Sequence, residues 1–426
     1  MKTINLSRVA NALSEMEKNT NIIVISLSIL FTFLIVSCDN KKDAIPHNII
    51  PVASTVGDYE MLNLSQYITE IKYISLETND SVLVSDIYQV ICENEKILID
   101  DGNCYLFDND GKFSCTIGQR GQGPDEYHYI AHVSMCDNFI FLSDDLKLLV
   151  YDTTGCLVEK NNLQSGEFPA EYVMHTFRIL PLKKDTFVMN VASSGNYYPK
   201  AILFATHQSN VEMIKEYTNY IRLNKLRASL NSLELGVMYR FKDNVRIHKN
   251  INDTIFTIDK NMEMKDAFVF DFGKYKEPLS FLEGRETTPS ANNNYIFPFN
   301  ISESLNHLFI EFFFGNHAPE PFEIMIMGNK TTDKRVFGVF DKRTGELTLM
   351  RQPVKGKFGF KNDIDNGPVI WPRYISSKNE LVTFISAEDF LDYYDKIKTP
   401  TPEMTKIAKS ISKYDNPILV IAKLKE

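Results

Sequence analysis

Tryptophan, closely spaced cysteine pairs and an excess of basic residues are what this sequence lacks. Trp371 is the single tryptophan in 426 residues, and no Cys-x-x-Cys occurs among the six cysteines, which removes the usual basis for a zinc site or a dithiol redox motif. There is no Gly-x-Ser-x-Gly elbow and no Gly-Lys-Ser/Thr phosphate loop, so neither hydrolase nor nucleotide chemistry has its sequence mark. The 46 Lys and Arg are outnumbered by 55 Asp and Glu, for a formal net charge of −9. Residues 1–37 carry three basic and two acidic side chains, so the rest stands at about −10 by the same count. A basic stripe is the footprint of nucleic-acid binding, and none is present. The acidic body is equally unsuited to anionic membrane surfaces. What is plentiful is apolar material: 44% hydrophobic residues and 12% aromatic, enough for a large core and against disorder.

One apolar run stands apart. Ile22 to Val36 is uninterrupted by charge, follows Lys18 and ends at Ser37-Cys38. It is short for a bilayer span, which needs ~20 residues, and suits the core of a secretion signal; an ordinary N-terminal anchor helix is the alternative. Ile35-Val36-Ser37-Cys38 resembles a bacterial lipobox, in which the cysteine is lipidated and becomes the new N-terminus. The expectation is a signal peptide over 1–37, with Met16 a more natural start than Met1, then a lipidated Cys38 and a tether over 38–58. Several acyl chains would anchor the chain to the cell envelope, expected at the outer membrane, with its facing left open. Beyond Cys38 five cysteines remain (Cys92, Cys104, Cys115, Cys136, Cys156), so at least one thiol is unpaired. They sit in strand-like runs as small apolar residues, with a Cys92–Cys104 disulfide left open.

After the tether the chain reads as β throughout. Ile71 to Leu76 alternates with period two, and short apolar runs follow, separated by Asp101-Gly102 and Asp110-Gly111. A weak repeat emerges: Leu106-Phe107-Asp108-Asn109-Asp110-Gly111 matches Val150-Tyr151-Asp152-Thr153-Thr154-Gly155, with variants at Ile255–Asn261 and Val339–Glu346. An apolar strand, an aspartate, a turn and another strand, in units of roughly 40–50 residues, is the size of a propeller blade. A β-sandwich predicts no such recurrence. The expected fold is all-β: a single six-bladed β-propeller of four-stranded blades over 59–426. Blades are placed at 84–118, 127–163, 172–217, 224–273, 295–352 and 358–424. The strands Ile71–Leu76 and Asn416–Leu424 are expected in one blade, closing the ring. A helix over Pro402–Lys413 is expected to pack outside.

The run Ile117-Gly118-Gln119-Arg120-Gly121-Gln122-Gly123-Pro124-Asp125-Glu126-Tyr127 resembles the glycine-rich loop of six-bladed β-propeller lipoproteins of Bacteroidota, relatives in form of NHL-repeat propellers. Asp125 replaces a glycine usual in that motif. Further matches are Tyr73–Thr78, Trp371-Pro372-Arg373-Tyr374-Ile375, Ala387-Glu388-Asp389-Phe390 and Asn416 to Lys425, so the resemblance spans about residues 60–426. It implies the fold and says little of function.

Chemistry is less legible. The glycine-rich loop reads best as a crossing between blades, with Arg120 its member most apt to face a ligand. His128-x-x-x-His132 shares a face only on a helix, and this stretch reads as β. Asp363-x-Asp365-Asn366-Gly367 lacks the full calcium-loop pattern and reads as a solvated turn. No metal, cofactor or catalytic residue is assigned. The innermost strand of each blade lines the channel, and those strands carry Tyr88, Gln89, His132, His175, Arg178, Tyr239, Arg240, Trp371, Arg373 and Tyr374. Arginine forks and aromatic faces suit carbohydrate or carboxylate ligands, although strand alternation turns half of such residues into blade cores. The ligand-binding candidates are Arg120, His175, Arg178, Tyr239, Arg240, Trp371 and Arg373. The favoured function is a non-catalytic envelope lipoprotein that holds a glycan, peptide or protein on its propeller face. The alternatives are a lyase or hydrolase of a polymeric substrate and a structural envelope scaffold.

Overall fold

The structure is a computed structural model; the described residues are 48–144, 146–163, 176–191, 200–207, 210–218, 236–249, 252–278, 294–326 and 329–426. They form a six-bladed β-propeller. Blade 1 is built from Gln89–Glu93, Lys96–Asp100, Cys104–Asp108 and Phe113–Thr116, each antiparallel to the next. Blade 2 comprises His132–Cys136, Phe139–Ser143, Lys147–Asp152 and Leu157–Asn162, and blade 3 Thr176–Lys183, Thr186–Val191, Ala201–His207 and Asn210–Tyr217. Blade 4 comprises Val237–Phe241, Asn244–His248, Thr254–Ile258 and Met264–Phe270. Blade 5 comprises Phe297–Glu303, His307–Phe313, Arg335–Asp341 and Glu346–Met350, with a hairpin of Phe322–Ile326 and Asn329–Asp333 inserted between its second and third strands. Blade 6 takes Tyr374–Ile375, Glu380–Ile385 and Ile418–Leu424 from the end of the chain and Ile68–Ser75 from its beginning.

The core lies between the blades. Six apolar clusters each join two neighbours: Phe141 and Phe187 between blades 2 and 3, for example, and Phe107 with Val382 and Leu419 between blades 1 and 6. Middle strands are thus covered on both faces, and so Ile97-Leu98-Ile99 and Ile140-Phe141-Leu142 read as continuous apolar runs instead of alternating ones. The first strands of successive blades touch one another, and that of blade 6 touches that of blade 1.

The repeated aspartate has a definite task. Asp108, Asp152 and Asp259 stand at or next to the end of their blades' third strands, and each Oδ1 accepts two backbone N–H groups of the following turn, at 2.8–3.0 Å. Asp341 accepts the Arg343 N–H in the same way. The residue after each turn has positive φ: Gly111 at 83°, Gly155 at 87°, Gly345 at 75°, and in blade 4 Met262 at 63°, where a side chain bears the left-handed strain. The recurrence seen in the sequence is therefore one hairpin built four times.

Three expectations need correction. Residues 49–58, expected as tether, belong to the propeller. Ile49–Ile50 adds a parallel fifth strand to blade 4 beside Val269–Phe270, Tyr59–Glu60 does the same in blade 5, and Ile50 and Val52 are fully buried. Two-residue strands have no periodicity for a sequence to display. The expected helix spans Pro402–Ser410 and packs against the outer strand Ile68–Ser75, but it has a companion that was not expected, Ala387–Tyr394; both are inserted in blade 6, and Phe390 and Met404 enter its core. Cys156 sits exposed in a turn and is not in a strand; all five described cysteines are free thiols.

The last strand binds both ways. Ile418–Leu424 pairs with Glu380–Ile385 on one side and with Ile68–Ser75 on the other. At its start Asn416, wholly buried, accepts the Val84 N–H at 2.7 Å and donates to the carbonyls of Glu77 and Val82. Deleting residues 416–426 strips two strands of their partner and is expected to abolish cooperative thermal unfolding; a melting curve like that of the full chain would contradict this.

Candidate functional site

Where each first strand turns into the second, five of the six blades surround a cavity of about 420 Å³. Its wall is made by Glu93 and Asn94 of blade 1, Met135 to Asn138 of blade 2, Arg240 to Asp243 of blade 4, Glu303 to Leu305 of blade 5 and Tyr374 to Ser377 with Asn379 of blade 6. The turns are tight because their residues accept positive φ: Asn94 and Glu95, Asp137 and Asn138, Lys242, and Asn379. Polar turn residues thereby face the mouth.

Two carboxylates bind neighbouring blades together here. Tyr239 and Arg246 lie opposite each other in the first hairpin of blade 4, so their side chains share a face. Both reach Glu303 of blade 5: Tyr239 Oη donates to Oε2 at 3.0 Å, and the Arg246 guanidinium forks onto both oxygens at 3.0 and 3.2 Å. Lys342 Nζ donates to Oε1 at 3.0 Å and to the Ser304 carbonyl at 2.6 Å, and lies 4.3 Å from the Phe241 ring centre. The Glu303 side chain has no exposed surface, and every oxygen is engaged. Burial, then the Glu303 charge, push the Tyr239 phenol well above its usual pKa; burial holds the Lys342 ammonium below its own. At the other side Glu93 accepts from Tyr374 Oη at 2.7 Å, from the Ser377 N–H at 2.8 Å and from the Ser377 hydroxyl, joining blades 1 and 6. Tyr374 is likewise raised, by burial first and then by Glu93.

The sequence candidates separate on this geometry. Arg240 lines the cavity and points across it from blade 4, its Nη1 donating to the Met135 carbonyl of blade 2 at 3.5 Å. Tyr239 is turned away to Glu303, as strand alternation dictates for its neighbour. Arg178 stands beside His132, whose ring burial, aided by the nearby guanidinium, drops to a pKa of about 3; neither residue lines the cavity. His175 lies outside the described residues, as does Cys38. Trp371 is a core residue, 6% exposed and packed on Phe309, Phe337 and Phe360. Arg373 is exposed and apart from the cavity.

Arg120 also belongs to structure: its Nε donates to the His128 carbonyl at 3.0 Å within the glycine-rich crossing. Glu126 accepts the Gly123 N–H at 2.7 Å and occupies the space a Cβ at Gly121 would need. Lys147 clamps the loop through the Gly123 and Glu126 carbonyls, and Asp125 forms an ion pair with Lys160 at 2.7 Å. The aspartates of 363–367 are similarly engaged: Asp363 takes the Ser65 N–H and hydroxyl, and Asp365 takes the Tyr73 phenol at 2.8 Å. Sequence reasoning missed Glu93, Glu303, Arg246, Lys342 and Ser377. Their one available mark was the polar pair recurring after each first strand, Asn94-Glu95, Asp137-Asn138 and Lys242-Asp243.

Fold and site together define a six-bladed β-propeller with a polar cavity at one mouth of its channel. The chain belongs to the family described as Domain of unknown function (DUF4934), whose model matches residues 47–423. A protein described as exported, from Bacteroides fragilis, shares 19% identity over 89% of this chain and 100% of its own, with a TM-score of 0.62, and has the same fold. A DUF4221 member from Bacteroides vulgatus is 12% identical, covering 84% and 97%, with a TM-score of 0.45. A protein of unknown function from Bacteroides thetaiotaomicron is 10% identical, covering 83% and 75%, with a TM-score of 0.41. No curated protein matches the chain significantly.

Two predictions follow from the buried charges. Replacing Glu303 by Ala leaves Arg246 and Lys342 facing each other without an anion and is expected to cost about 3–5 kcal/mol in urea unfolding; a loss below about 1 kcal/mol would show the cluster to be solvated. His132 and His248 are both held neutral by burial, to a pKa of about 3 against 6.5 in an unfolded chain. As pH falls below 6.5 the unfolded state takes up protons that the folded state refuses, so stability is full above 6.5 and declines on acidification. The urea midpoint should fall between roughly pH 7 and 5, before most carboxylates titrate, and fall less in His248→Gln. A flat profile across that window would contradict the neutral assignment.

Proposed function

We infer that this chain is an envelope-anchored lipoprotein whose propeller holds a ligand at the hairpin mouth of its channel without transforming it. The observation that carries the reading is the cavity itself. Five blades converge on a space of about 420 Å³, within the range of small-molecule sites, about 300–1,000 Å³. Its wall mixes amides, hydroxyls and two aromatic rings with one arginine, one lysine and four carboxylates, a polar set suited to a sugar or a peptide end. Of the four carboxylates in the wall, the inner two are engaged, Glu303 by three donor residues and Glu93 by two, Tyr374 and Ser377, a structural employment that disfavours proton transfer by them; Asp137 and Asp243 lie exposed on the rim. The lipobox-like junction at Cys38 supports lipid anchoring, and the description of the B. fragilis relative as exported supports an envelope address.

Residues 39–426, screened by thermal shift against glycans, peptidoglycan fragments, peptides and divalent metals, are expected to be stabilised by at least one organic ligand recovered intact. A ligand recovered as cleaved product would replace this reading with a lyase or hydrolase, and a flat screen would favour the scaffold. In cells, Cys38→Ser is expected to move the protein from the membrane fraction to the soluble one; unchanged membrane retention would sink the lipid anchor.

A further inference from the structure

Among the described residues, two of the four half-buried arginines are paired with carboxylates and two are not. Arg246 is forked onto Glu303, and Arg335 bonds to both Asp333 and Glu311. Buried charge normally requires such a partner. Arg240 has none: among the described residues no carboxylate lies within 4.0 Å of its guanidinium, and its one hydrogen bond to the protein backbone, at 3.5 Å, is long. The nearby acids are not free to supply one. Glu93 is taken by Tyr374 and Ser377, Glu303 by Tyr239, Arg246 and Lys342, and Asp137 and Asp243 sit exposed on the rim. The second is Arg178, on the first strand of blade 3, which likewise has no carboxylate within 4.0 Å among the described residues. It lies about four residues, roughly 13 Å of strand, further from the hairpin mouth. Among the described residues, two arginines thus lack a carboxylate partner, and one of them, Arg240, lines the cavity.

We propose that Arg240 is the docking group for a ligand carboxylate, so that the cavity selects acidic over neutral ligands. This rests on the reading of the cavity as the binding site. The geometry is favourable because the guanidinium is held across the mouth with most of its N–H donors unspent, and a carboxylate accepts two of them in parallel. Around it Asn94, Asn138, Ser377 and Asn379 offer donors and acceptors for hydroxyls or amides. The carboxylate can belong to a uronic acid sugar or to the C-terminus of a peptide, and the two sources share this chemistry.

The test is calorimetry on residues 39–426 with matched pairs: digalacturonate against its neutral digalactose counterpart, and an alanine dipeptide acid against its amide. The acidic member of one pair is expected to bind about 10- to 100-fold more tightly than its neutral partner, with affinity falling as salt rises; the responding pair identifies the source. Arg240→Gln should erase the preference, and Arg240→Lys should restore part of it, with the melting temperature of the unliganded variants showing that both fold. Equal binding of acidic and neutral members would overturn the role of Arg240 while leaving the cavity as a binding site. Absence of binding by both acids would overturn the proposal outright, and the wider thermal-shift screen would still decide the binding reading separately.

Discussion

The structure depends on a pairing made across nearly the whole described chain: Ile418–Leu424 lies between Glu380–Ile385 and Ile68–Ser75. Each blade alone is a small sheet with two apolar faces, and each face is covered only by the next blade. Six interblade clusters therefore stand or fall together, and the cluster between blades 6 and 1 exists only because residues from both ends of the sequence meet there. Such non-local contact requires a long loop to be closed before it is rewarded, which makes late, cooperative assembly the expected folding behaviour. Asn416 concentrates this dependence in one side chain, satisfying a donor and two acceptors of the segment that follows the first strand of the pair.

The channel mouth inherits its form from the same arrangement. First strands pack around the axis, so their hairpin turns converge, and turns that demand positive φ select Asn, Asp and Lys-Asp sequences. A polar rim is thus a by-product of hairpin geometry. What distinguishes the site from a mere rim is the unequal treatment of its charges. Glu93 and Glu303 are saturated and knit blades together, while Arg240 reaches over blade 3's position to blade 2 with little to hold. In the proposed reading stability and recognition fall to neighbouring residues of one strand, Tyr239 turned to Glu303 of the next blade and Arg240 lining the cavity.

The fold was legible where local chemistry repeats. The aspartate turns announce themselves because a short acidic acceptor followed by a left-handed residue builds that hairpin, and the paired terminal strands because Ile71–Leu76 alternates and Ile418–Ala422 is a continuous apolar run. The borders of blades 1, 2, 3 and 5 fell within about five residues of the observed sheets, whereas the first strands of blades 4 and 6 begin at Val237 and Tyr374, well after the expected 224 and 358. Legibility failed where structure is set by contacts distant in sequence. The two-residue edge strands at 49–50 and 59–60 carry no period, and the Glu303 cluster draws on residues 239, 246, 303 and 342 from three hairpins of two blades. Of the proposed ligand contacts, Arg240 lines the cavity, whereas Trp371 and Arg120 serve packing and loop closure, because a first strand or crossing offers its residues alternately to the channel and to its neighbours.

Hydrogen–deuterium exchange of the chain, with and without the first ligand found to raise its melting temperature, tests the central claim most directly. Protection confined to the first hairpin turns, around Asn94, Asp137-Asn138, Lys242-Asp243 and Ser377–Asn379, is the predicted result. Protection centred instead on the glycine-rich crossing Gly118–Tyr127, with those turns unchanged, would place recognition elsewhere and contradict the account.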